Sequence, residues 1–139
     1  MAFEDAIASL GKELGIDLSV EDGAAEFVAT PEDGGRQVAV SISVMDDGES
    51  VALCADLGEM PSEGAGELML RMLEANHMFG STGGATLSVD AGRVKLERHF
   101  GLVNLERGEG ANIIVPFLDK ASFWADVVAH PDRSASQEL

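Results

Sequence analysis

Apolar residues at Phe3, Ile7, Leu10 and Leu14 are spaced 4, 3 and 4 apart, which puts all four on one face of a 3.6-residue helical period. Glu4 and Asp5 in the first turn and Lys12 near the last suit the helix dipole, and Gly15 ends the helix. The period then changes to two. A short strand is expected from Ala25 to Thr30, followed by a turn over Pro31 to Gly35. In the next segment, RQVAVSISV, Val38, Val40, Ile42 and Val44 fall on one face, and Gln37, Ala39, Ser41 and Ser43 on the other. Such alternation marks a sheet with one covered face. Asp46, Asp47 and Gly48 turn the chain into a third strand, Ser50 to Leu57, which Gly58 to Pro61 stops.

The middle helix, expected from Glu63 to Phe79, is apolar over more than one stripe. Leu68, Met72, Ala75 and Phe79 lie on one side, with Met69, Leu73 and part of Leu70 beside them. A helix with two apolar faces is either wrapped by its own domain or shared with a second subunit. Gly80, Gly83 and Gly84 then permit a sharp turn into a strand from Ala85 to Asp90, paired through Ala91 and Gly92 with another from Arg93 to Phe100. A last helix carries Ile114, Phe117, Leu118, Ala121, Trp124 and Val128. Pro116 either sits in its first turn, with a start near Ile114 or Val115, or kinks it.

The resulting order, α-β-β-β-α-β-β-α, is that of an α+β fold: an antiparallel twisted sheet of about five strands with three helices. Residues 1–130 are expected to form a single domain, and residues 131–139 a polar, mobile tail.

Composition narrows the partners. With 25 acidic against 9 basic side chains the formal charge is −16, which repels phosphate backbones and anionic lipid, so neither nucleic acid nor membrane is an expected partner. The acids are dispersed and 45% of the chain is hydrophobic, so the charge decorates a folded surface and contributes mainly to solubility. Cys54 is the only cysteine and cannot form an internal disulfide. No segment reaches the ~18 apolar residues of a membrane span, and the N-terminus lacks a basic leader, so a cytoplasmic location is expected.

Catalytic chemistry finds little support. His77, His99 and His130 are dispersed without metal-ligand spacing, and Asp46-Asp47-Gly48-Glu49 lacks the alternating oxygen ligands of a calcium loop. The Gly-Ser-Thr-Gly-Gly run has no lysine and follows a helix instead of opening one, unlike a phosphate-binding loop. No enzyme activity, cofactor or metal is expected.

Four passages carry a family resemblance: ADLGEMP (Ala55 to Pro61), MLEANHMFGSTGGATLSVD (Met72 to Asp90), GRVKLER (Gly92 to Arg98) and the Phe123-Trp124 pair. From about Ile7 to Val128 the chain resembles the CesT/Tir family of type III secretion chaperones. It departs from that pattern in the glycines at 101, 108 and 110 and in Pro116.

The resemblance implies a homodimer that binds the N-terminal segment of a secreted effector or translocator and keeps it soluble and competent for export. The alternative on the same scaffold is a non-secretory regulatory or small-ligand-binding domain. The two-faced middle helix places the expected dimer interface at Leu68, Met69, Met72, Leu73, Asn76 and Phe79. The expected partner-binding residues are Phe3, Ile7, Phe27, Val38, Val40 and Ile42, of which about half must instead be core, because the sequence does not say which face of the sheet is covered.

Overall fold

A computed structural model describes residues 3–30, 36–77 and 82–131. The expected turn at Pro31 to Gly35, Phe79, the first part of the glycine hinge and residues 132–139 of the tail lie outside the described residues. The elements in order are α1 (Phe3–Leu14), β1 (Ala24–Ala29), β2 (Val38–Val44), β3 (Ser50–Glu59), α2 (Ala65–Asn76), β4 (Thr86–Asp90), β5 (Arg93–Gly101), α3 (Leu102–Glu106) and α4 (Gly110–Ala129). The five strands form one sheet in the order β1-β2-β3-β5-β4, every neighbouring pair antiparallel.

The period-two alternation decides which face is covered. Val38, Val40 and Ile42 of β2, Val51, Leu53, Ala55 and Leu57 of β3, Leu87 of β4, and Val94 and Leu96 of β5 are all buried on one side. Across that side lies α4, against β2, β3 and β5, while α1 packs on α3 and α4. Trp124 of α4 is fully buried, with the Phe123 ring edge-on at 5.5 Å and the Arg71 guanidinium carbon of α2 5.8 Å from its ring centroid. One indole therefore ties α2 to the helix that seals the sheet.

The helical end of the chain differs from the sequence expectation in two ways. A short helix, α3, was not anticipated: one turn of Leu-Val-Asn-Leu-Glu is too brief to show a period, and it is set by Asn104, which accepts from the Gly101 N–H at 3.2 Å and donates to Glu109 at 2.8 Å. In addition, α4 begins at Gly110, about a turn before the expected start, so Pro116 lies inside the helix and not in its first turn. Pro116 and Asn112 are both exposed, so the carbonyl that loses its partner to the proline ring faces water. The early start is possible because a Cβ at position 110 would lie only 2.8 Å from Leu10 and 2.9 Å from Leu105: a glycine lets α1, α3 and α4 converge.

The third strand also runs past its expected end, to Glu59. A bulge between Asp56 and Gly58 shifts the register with β5, and Gly58 adopts φ 113°, open to glycine and strained for other residues. Asp56 holds the bulge in place: its Oδ1 accepts from the Gly58 N–H at 3.0 Å and its carboxylate from Arg93 Nε at 2.9 and 3.1 Å, with Lys95 Nζ 3.7 Å away. Partial burial pushes the Asp56 carboxyl up, but the Arg93 and Gly58 hydrogen bonds and the two nearby cations outweigh it and hold the group below its ordinary value of 3.8.

Trp124→Ala is expected to cost about 3–5 kcal/mol in urea unfolding, because the cavity opens where two helices and the sheet meet. Because the folded-state value of Asp56 is depressed, its contribution is complete above the ordinary carboxylate range and is lost as pH falls through that range. The Asp56 and Arg93 side chains are 28% and 41% exposed, so the contribution is on the order of 1 kcal/mol or less. Unfolding free energies from about pH 7 to about pH 3 should converge between wild type and Asp56→Asn at the acid end.

Candidate functional site

A sheet has two edges, and the hydrogen bonding of β1 shows how its edge is presented. The Val44 N–H donates to the Gly23 carbonyl at 3.1 Å, in the register that pairs Ala24 with Ser43. Residues 23, 25, 27 and 29 therefore bond towards β2, while Ala24, Glu26 and Val28 aim their backbone groups outward. Ala24 is closed by a turn, exchanging hydrogen bonds with Glu21 at 2.8 and 3.1 Å. At Glu26 and Val28 no described strand continues the ladder.

Alongside this edge runs a groove of about 620 Å³. Its walls are Leu14 and Ile16 from the end of α1, Phe27 of β1, and Val115, Leu118 and Asp119 of α4. The chain thus offers outward backbone groups beside an apolar trough, with Val28 60% and Val115 47% exposed. On the opposite face of the sheet a shallower hollow of about 460 Å³ lies over Glu26, Val28, Ala39, Ser41 and Cys54. Partial burial, and then the nearby Glu97 carboxylate, push the Cys54 thiol above its ordinary value, the opposite of what an activated thiolate needs.

The second exposed apolar surface is on α2. Leu68, Met72 and Ala75, spaced 4 and 3, face the core, whereas Met69, Leu70 and Leu73 point outward at 43%, 59% and 67% exposure. Val89 of β4 is also exposed. At the end of α2, Asn76 turns its side chain to β4: Nδ2 donates to the Leu87 carbonyl at 2.9 Å and Oδ1 accepts from the Leu87 N–H at 2.8 Å.

These positions sort the sequence-derived candidates. Ile7, Val38, Val40 and Ile42 lie in the core and Phe3 is at its margin, because α4 covers the very face on which the alternation is clearest and α1 packs on α3 and α4; they offer a partner little free surface in this chain. Of that set, Phe27 and the buried Val38 line the groove. Of the expected interface residues, Leu68 and Met72 are core, Met69 and Leu73 are exposed, and Asn76 has its amide engaged within the chain. The groove residues Leu14, Ile16, Val115 and Leu118 were not anticipated as a site. The available signal was phase: Val115 is out of step with the buried Ile114, Phe117 and Ala121, and Val28 falls on the exposed side of β1.

Among the described residues no cluster of three or more histidine, cysteine or acidic side chains could hold a metal ion. No helix among them is long and apolar enough to cross a membrane.

No curated protein sequence matches the chain. Several solved structures share its fold. A chain of the HopA1–SchA chaperone–effector complex superposes with a TM-score of 0.62 at 12% identity, over 91% of each chain. A chain of the ExsC–ExsE complex gives 0.63 at 19% identity, over 92% of this chain and 97% of that one. A chain of the heterodimeric ExoU–SpcU complex, from the type III secretion system of Pseudomonas aeruginosa, gives 0.59 at 17% identity, over 91% and 93%. Residues 5–125 match the Tir chaperone protein (CesT) family, and with all five strands, α2 and most of α1 and α4 inside that match, the chain belongs to this family.

Proposed function

We propose that this protein is a type III secretion chaperone that binds the N-terminal segment of a secreted effector or translocator and keeps it soluble until export. The observation that carries the reading is the outward-facing backbone of Glu26 and Val28 beside the groove. An extended client can add a strand there, and every second side chain then falls towards Leu14, Ile16, Phe27 and Leu118. Main-chain pairing supplies affinity with little dependence on client sequence, and the trough selects apolar residues at alternate positions. Membership of a chaperone family, and similarity to a chain of a chaperone–effector complex and to a chain of a heterodimeric complex from a type III secretion system, support the same role. It is a binding function that works in the cytoplasm and asks no catalysis of the chain.

The protein acts as a homodimer in this reading, with Met69, Leu70 and Leu73 of α2 packed against a second copy. Three large apolar side chains on one exposed helix face, on a chain of charge −16, are better covered than left in water.

Two substitutions test these surfaces separately. Val28→Pro removes an outward N–H without touching the ladder to β2, so co-purification with a co-expressed candidate client should be lost while thermal stability changes little. Retained client binding would exclude strand addition at β1. Leu73→Glu should halve the mass measured by light scattering, since a buried, unpaired carboxylate costs several kcal/mol; an unchanged dimer would remove Leu73 from the interface.

A further inference from the structure

The second edge of the sheet is treated differently from the first. The Leu87 N–H donates to Asn76, away from β5, so Leu87 and, two residues on, Val89 are the outward-facing residues of β4. Just before the strand, the Ala85 N–H is taken by the Thr82 carbonyl at 3.3 Å. Among the described residues this leaves Val89 as the one unsealed outward position of β4, and a strand needs at least two successive positions to begin a ladder.

Asn76 suits this task by its chemistry. A neutral amide side chain carries both an acceptor and a donor, the same complement as a peptide group, so it occupies Leu87 as one residue of a neighbouring strand would. An aspartate could accept but not donate, and an alanine could do neither. Unpaired edge groups recruit other strands, whereas covered ones do not. We infer that Asn76 is a specificity-determining residue: it closes β4 to incoming strands, from a client or from a second copy, and so confines strand addition to β1. The inference rests on the proposed client role of β1. It also accounts for the spacing of Asn76 and Leu87, eleven residues apart on either side of the glycine hinge.

The test uses the full chain and a synthetic peptide of about seven residues alternating valine and lysine as the strand donor. Amide exchange is followed by NMR and mass by light scattering. In the wild type the peptide should slow exchange at Glu26 and Val28 and leave Leu87 unchanged. In Asn76→Ala the free Leu87 amide should exchange about tenfold faster, the peptide should then protect it, and the chain should form larger assemblies than wild type. Adding Val89→Pro, which removes an outward N–H and spares the ladder to β5, should restore the wild-type mass.

An Asn76→Ala chain of wild-type mass whose Leu87 amide gains nothing from the peptide overturns the inference, even if that chain is less stable. Should it not fold, Asn76→Leu, which keeps about the same volume and loses both donor and acceptor, decides by the same two readings. A wild-type chain in which the peptide protects neither Glu26 nor Val28 counts against the client reading of β1 alone; assembly of Asn76→Ala and its reversal by Val89→Pro would still establish the closed edge.

Discussion

The fold depends on a sheet that must be covered on one face and can be covered only by the chain's own helices. Three of the five strands, β2, β3 and β5, send two or more buried side chains to that face, and α4 lies across it with Trp124 buried beneath. Everything exposed follows from where this cover stops. α4 reaches from β2 to β5 and leaves a trough beside β1; α2 is left to flank β4, with one side on the core and the other in water.

This geometry separates two kinds of recognition that a small protein must keep apart. Association along an edge is carried by backbone hydrogen bonds and tolerates many sequences. Association through a helix face is carried by shape and selects one partner. Here the open edge lies at β1 and the exposed helix face at α2, at opposite ends of the strand order, so the client and the second copy proposed for them would not compete for one surface. The amide of Asn76 sits at the junction where the two could otherwise interfere.

Much of the fold was legible in the sequence because its periods are strong. The 4-3-4 spacing of α1 and the alternation of β2 gave elements within a residue or two of those observed, and the resemblance centred on Met72 to Asp90 pointed to the family that residues 5–125 match. The site was far less legible. Alternation identifies a covered face but not what covers it, so Val38, Val40 and Ile42 were equally good as core or as client surface until α4 was placed. Edge exposure is a property of hydrogen-bond parity and strand order, and neither is written in residue type. Asn76 belongs to the expected interface set, and nothing in its residue type announces that its amide bonds the backbone of Leu87, eleven residues on.

The glycine at position 110 has an effect well away from its own location. The trough has one wall from the end of α1 and the turn after it, at Leu14 and Ile16, and another from α4, at Val115 and Leu118, and these helices meet where Gly110 admits Leu10. The missing methyl group thus acts as a gauge block between the two walls. A larger residue there would pry the helices apart at their crossing and widen the opening about a turn farther along, altering which client side chains fit without changing any residue that a client touches.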